Sequence, residues 1–218
     1  QGVQYQVEKL DWEEKKAYVR EVDVDYFTDA NLAVQLQVLE QDKVRNSEFT
    51  ETAYGDVAVH AMATIFKKIK FDTHENIGSG PIHLPEEEIH TSAAWISLEK
   101  DFKEIGQERL EQGLIGAAHS LKAVVSLYVM CDPQDVHIVP QVKANHNEKP
   151  TIFIYDHYPG GIGLSEQVYK NMSEIIGQAK SLIEECPCAH GCPACIGTDT
   201  TSEAAKEDAV SILGLFLQ

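Results

Sequence analysis

Four of the five cysteines, Cys186, Cys188, Cys192 and Cys195, fall within ten residues at the spacing C-x-C-x3-C-x2-C. A tetrahedral metal needs four soft donors converging on one point, about 2.3 Å from each sulfur. A loop this short supplies all four only if it folds back on itself. Gly191 offers the positive φ that such a reversal demands, and Pro187 and Pro193 restrict the chain beside the ligands. No secretory signal is read in the sequence, so the expectation is thiolates in the reducing cytoplasm rather than disulfides. Zinc is the first candidate. An iron–sulfur cluster also accepts four thiolates, but the ferredoxin run C-x2-C-x2-C-x3-C is not reproduced. One zinc held by four thiolates keeps no open position for water or substrate, so its expected role is structural.

The rest of the chain must then provide a fold for that loop to close against. With 218 residues, 43% hydrophobic and 24% charged, it is long enough for a sizeable core. It contains no apolar run of membrane-spanning length. The net charge of −17 argues against a module that binds nucleic acid by itself, since phosphate neutralisation calls for a basic surface. The chain opens at Gln1 on the strand-like GVQYQV rather than on a methionine, as expected of a piece cut from a longer protein.

Residues 15–25 and 32–40 alternate apolar and polar, with a turn expected at 29–31, and together predict a hairpin or meander. A third alternating stretch covers 55–71 and carries Lys67, Lys68 and Lys70, the one basic cluster and the candidate DNA contact. Glycine and proline mark 77–88 as a loop, in which Glu86, Glu87 and Glu88 read as solvated. AAWIS (93–97) predicts a strand. From Gln107 to about Met130 the apolar residues recur at helical spacing, with His119 expected to be a satisfied core histidine. Cys131 reads as a lone buried thiol. Strands are expected at 136–142 and 151–156, then a helix over 163–185, the cysteine loop, and a last helix over 201–218 capped by Ser202.

This order predicts an α+β fold in one domain spanning 1–218: an antiparallel, β-rich part over about 1–98, packed with helices from an αβ part over about 99–218 that carries the zinc loop. Residues 186–199 have little apolar content, so the metal is expected to replace a core there.

Two further patterns resemble functional motifs. Gly160, Gly161 and Gly163 lie between a strand and a helix, where an anion cradle can form. The Walker lysine is missing, however, and the expected role is a structural loop closed by Asp156 accepting hydrogen bonds from its amides. His146-Asn147-Glu148 with Cys192-Pro193-Ala194-Cys195 mimics part of a zinc-deaminase signature, but Gly191 stands where that signature needs proline and Cys186 and Cys188 would be idle.

The run from Asp156-His157-Tyr158-Pro159-Gly160-Gly161-Ile162-Gly163-Leu164 through a helix to Cys186-x-Cys188-x3-Cys192-Pro193-x-Cys195 resembles the C-terminal zinc-binding domain of a group of superfamily 2 DNA helicases, typified by the bacterial mitomycin C repair helicase. Lys68-Ile69-Lys70, Thr73-His74-Glu75-Asn76 and Val129-Met130-Cys131-Asp132 fit as well, so the resemblance covers nearly the whole chain. It implies one zinc on Cys186, Cys188, Cys192 and Cys195. It also implies RecA-like motor domains of a parent chain as partners, DNA bound through that parent, and ATP-dependent 3′-to-5′ unwinding in DNA repair carried out by the motors. On that implication the chain is an accessory domain with no catalysis of its own. The competing class is a stand-alone metal-dependent enzyme or an iron–sulfur domain.

Overall fold

The computed structural model describes residues 2–99 and 106–218, so the sequence boundary placed at 98/99 abuts residues outside the description, as does Gln1. The elements run β1 (Gln4–Asp11), β2 (Lys16–Val22), β3 (Tyr26–Asn46), β4 (Thr50–Lys70), β5 (Asn76–Pro81), β6 (Glu87–Leu98), α1 (Gln107–Tyr128), β7 (Val136–Gln141), β8 (Thr151–Asp156), α2 (Leu164–Lys170), α3 (Met172–Glu184) and α4 (Ala205–Phe216). β1 and β2 form an antiparallel ribbon. A six-stranded sheet has the order β3-β4-β6-β8-β7, with β5 added on β4. The pairs β4/β5, β6/β8 and β7/β8 are antiparallel, and the architecture is α+β.

Contacts divide the chain into two compact units. One holds the residues up to Ala33 and Ala61–Glu86; the other holds Val34–His60 and Glu87–Gln218. β7 and β8 join the sheet of β3, β4 and β6, so the sheet draws strands from both sides of residue 98.

The larger unit is built on β6 and β8. Strand side chains alternate between faces, so each cross-strand pair belongs to one layer. Ala94 opposite Ile154 and Ile96 opposite Ile152 join the core under α1, α3 and α4. Ala93 opposite Tyr155 and Trp95 opposite Phe153 join Leu36, Val57 and Val59 on the other face. Every residue of β8 is buried, as in a strand covered on both sides. In α1 the buried residues Leu110, Leu114, Ala117, Leu121 and Val125 recur at three- and four-residue intervals, which presents one apolar stripe.

α1 lies unusually close to α4. A Cβ on Gly113 would stand 3.0 Å from the Asp208 carbonyl oxygen, and one on Gly116 would stand 3.0 Å from the Ala209 Cβ. Arg109 closes one end of this contact, its Nε 3.0 Å from the buried Asp208 carboxylate. Gln112 closes the other by accepting the N–H groups of Thr201 (2.6 Å) and Ser202 (3.3 Å) ahead of α4.

Four local expectations change. The turn at 29–31 does not form: β3 runs straight through it, and Asn31 accepts a hydrogen bond from the Thr64 hydroxyl. Pairing to a long neighbour outweighs the turn preference of isolated Asp and Asn, and the hairpin partner of β2 is β1 instead. Part of 77–88 is the edge strand β5, in which Gly78 and Gly80 pair with Lys68 and Phe66, and Pro81 closes its end. The helix expected over 163–185 is two helices, broken at Asn171, whose side-chain amide competes for the Gln167 carbonyl at 2.8 Å. The last helix starts at Ala205, and the Ser202 hydroxyl accepts from the Ala204 N–H in a local turn rather than capping the helix.

Gly116→Val should lower stability by about 1–3 kcal/mol, because the new branch meets Ala209 and Ile196 at once. Chemical denaturation of the metal-loaded chain measures it, and an unchanged midpoint would contradict the close approach of α1 and α4.

Candidate metal centre

α3 ends at Glu184 and α4 begins at Ala205, and the connection between them carries the cysteines. Pro187 and Pro193 remove two backbone donors, so the loop cannot continue either helix. Gly191 takes φ 113°, a value closed to side chains, and a Cβ there would meet Ile196 Cδ1 at 2.1 Å. This reversal brings the sulfurs together. Cys186 and Cys192 lie 3.6 Å apart, Cys188 and Cys195 3.6 Å, and Cys192 and Cys195 3.7 Å. All four sulfurs lie within 4.8 Å of one another. A tetrahedron with metal–sulfur bonds of about 2.3 Å has edges of about 3.8 Å. The donor set therefore fits a tetrahedral ion with little movement. Among the described residues this is the one such cluster of three or more metal-ligating side chains.

The surroundings treat the sulfurs unequally. Backbone N–H groups of Cys195 and Ala194 aimed at the Cys192 sulfur draw its thiol down to about 7, while burial pushes the Cys195 thiol up to about 12. A bound cation reverses that penalty and holds every ligand as thiolate.

The loop is also anchored without metal. Cys195 and Ile196 are 1% and 2% exposed and belong to the main core, so the expectation that the metal replaces a core over 186–199 needs correction: the loop's small apolar content is buried. Ile196 sits over Gly116 of α1, 3.3 Å from where a Cβ would be. Gly197, at φ 81°, passes the His119 ring too closely for a side chain. From α4, the Lys206 ammonium donates to the carbonyls of Cys186 and Cys188, both at 2.7 Å. Nothing in the residues around Lys206 signals this contact. A lone Ile-Gly behind the last cysteine was the available sign of the Ile196 wedge.

The glycine loop has a separate organisation. Asp156 is fully buried at the end of β8. Its Oδ2 accepts the N–H groups of Ile162 (2.7 Å), Gly163 (2.9 Å) and Leu164 (3.2 Å), and Oδ1 accepts that of Ser165 (2.7 Å). Gly160, Gly161 and Gly163 take φ of 80°, 71° and 88°. The amides that could cradle a phosphate are turned onto the chain's own carboxylate.

The remaining expected site residues lie elsewhere. Lys67 and Lys68 sit opposite Ser79 and Gly78 on β4, and strand alternation sends the two to opposite faces. Lys68 lies 5.0 Å over the Tyr26 ring. His146 packs edge-on against Trp95 and Phe153, and Asn147 donates to Ser97, so the H-x-E run is part of the β7–β8 turn. Cys131 is half-buried, with its thiol raised by burial.

Comparison with known proteins gives a consistent set of relatives. The profile of the MrfA Zn-binding domain matches residues 117–196. The ATP-dependent helicase YprA of Bacillus subtilis is 60% identical over 213 residues, which cover 98% of this chain and 28% of that protein. Protein MJ1572.1 of Methanocaldococcus jannaschii is 31% identical over 81 residues, which cover 36% of this chain and 72% of that protein. The crystal structure of the DUF1998 helicase MrfA bound to DNA superposes with a TM-score of 0.74 at 60% identity, over 98% of this chain and 29% of the other. The chain thus spans less than a third of the helicases it matches.

Gly191→Ala should destabilise the metal-loaded chain by about 1–3 kcal/mol, through positive φ and the contact with Ile196. Thermal melting checks it, and a wild-type midpoint would contradict the reversal at Gly191.

Proposed function

The chain belongs to the family of the MrfA Zn-binding domain, and on that premise we propose that it is the accessory domain of an ATP-dependent 3′-to-5′ DNA helicase acting in DNA repair. It binds one zinc through Cys186, Cys188, Cys192 and Cys195, and the zinc is structural. The observation that carries this reading is the convergence of four sulfurs at tetrahedral spacing in a chain 60% identical to a helicase across almost its whole length.

The zinc, when bound, ties four thiolates together and offers no site for substrate. The chain's own residues do the rest. Ile196 seats the loop on α1, Lys206 ties it to α4, and Asp156 fixes the turn into α2. These contacts brace the cysteine loop and the glycine turn against the helices and the sheet of the larger unit.

Partners follow from the surface. Val3, Tyr5, Val7, Leu10 and Val19 on the β1–β2 ribbon are each 45–58% exposed. A two-stranded ribbon is marginal alone in water, so this face supports docking on the RecA-like motor domains of the parent chain. DNA is bound through the parent. Lys67, Lys68 and Lys70 are the candidate contacts, supported by Tyr26, Phe27 and Phe71 beside Lys68, because aromatic faces accept unstacked bases. Among the described residues no helix is long and apolar enough to cross a membrane, and reduced thiolates at the metal agree with a cytoplasmic location.

Cys188→Ser and Cys192→Ser should each lose zinc and impair unwinding by the parent helicase, whereas Cys131→Ser keeps zinc. Elemental analysis and a strand-separation assay on the three variants decide it. Zinc retained by Cys188→Ser would overturn the ligand set, and normal unwinding without zinc would overturn the structural role. The chain itself should not hydrolyse ATP; robust turnover by a clean preparation would favour a stand-alone enzyme.

Replacing Lys67, Lys68 and Lys70 together with Ala should weaken DNA binding by the parent several-fold and flatten its salt dependence. Unchanged affinity across a salt titration would remove this surface from the DNA path.

A further inference from the structure

The two halves of the cysteine loop are ordered by different means. In the second half the backbone closes on itself, because the N–H groups of Cys195 and Ile196 both donate to the Cys192 carbonyl at 3.1 Å. The first half has no such closure. Pro187 separates Cys186 from Cys188 and has no N–H to give, and among the described residues no backbone donor outside the helices and strands reaches either cysteine carbonyl. Both carbonyls are instead satisfied by one group, the Lys206 ammonium, at 2.7 Å each.

Charge points the same way. A divalent ion with four thiolates carries two net negative charges. Lys206 is half-buried on the first turn of α4, and no carboxylate among the described residues pairs with it. Its acidic neighbour Asp208 is already held by Arg109. The ammonium therefore meets the carbonyls of two ligand residues, with no carboxylate paired to it among the described residues.

We propose that Lys206 is a positioning residue of the metal centre, which fixes the backbone of Cys186 and Cys188 so that their sulfurs converge and offsets the negative charge of the loaded site. The inference rests on the reading of the four cysteines as a zinc site. It makes metal retention depend on α4, an element that supplies no ligand. Partners of this kind, one shell out from the ligands, typically change metal affinity 10- to 100-fold.

The test uses the full chain, loaded with zinc, as wild type, Lys206→Met, Cys188→Ser and Lys180→Met, the last a control on an ion pair within α3. Zinc release to a chromogenic chelator and melting with and without metal are measured, and the visible spectrum is recorded after cobalt substitution. Lys206→Met should release zinc about 10- to 100-fold faster than wild type. At saturating cobalt it should keep four-sulfur absorption with a shifted thiolate charge-transfer band. Its melting temperature should fall further below wild type with metal bound than without it. Lys180→Met should behave as wild type. A wild-type release rate for Lys206→Met, or an equal loss of melting temperature with and without metal, would overturn the role of Lys206. If Cys188→Ser keeps its zinc, the metal-centre reading itself fails. If that variant loses zinc while Lys206→Met equals wild type, only the inference about the lysine fails.

Discussion

The approach of α1 to α4 is the contact on which the rest of the larger unit depends. Gly113 and Gly116 remove the side chains that would keep the helices apart, and Ile196 fills the notch this creates. Everything that orders the cysteine loop attaches to this pair: the wedge under Gly116, His119 against Gly197, and Lys206 on the two carbonyls. The ion pair of Arg109 with Asp208 sets the alignment of the helices. Its carboxylate is buried and its guanidinium half-exposed, so the charge is satisfied without removing both ions from water. The loop is thus an extension of a helix–helix interface, with its four sulfurs gathered within 4.8 Å of one another.

Two loops in this chain solve one problem by different chemistry. Each must hold a glycine-rich, non-repetitive backbone against a packed core. After β8 the answer is an anion, the buried Asp156, which gathers four amides. After α3 it is a cluster of four thiols at the spacing that a cation requires. A carboxylate organises donors and leaves carbonyls aside; a cation organises anionic side chains and leaves carbonyls in want of a donor. Lys206 is the group that meets that want. The sequence shows the first member of each set, an aspartate before glycines and cysteines at close spacing, but not the lysine.

Legibility in the sequence tracked the range of the interaction responsible. The strands at 136–141 and 151–156, the helix from Gln107 and the ligand run are written in local periodicity or spacing, and the fold follows them. The passage of β3 through Asp29–Asn31 depends on a partner strand more than thirty residues away, so local turn preference pointed the wrong way. β5 was hidden because Gly78 and Gly80 read as breakers, yet on an edge they permit pairing with Lys68 and Phe66. The break at Asn171 is local, but it rests on one side-chain amide inside an otherwise helical pattern. Lys206 and Gln112 act across the helix interface, and nothing in their own neighbourhoods announces it.

The pairing of β6 with β8 carries a consequence for how such a chain is made. Trp95 meets Phe153, and its helix-side neighbours Ala94 and Ile96 meet Ile154 and Ile152, about 60 residues further on. Synthesis at about 5–20 residues per second leaves β6 waiting roughly 3–12 s for its partner. During that interval its helix-facing side is covered by neither α3 nor α4, which follow β8 in the chain. The nascent protein therefore passes through a stage in which β6, a strand with eight buried residues, has an open edge of the kind that invites pairing with other chains.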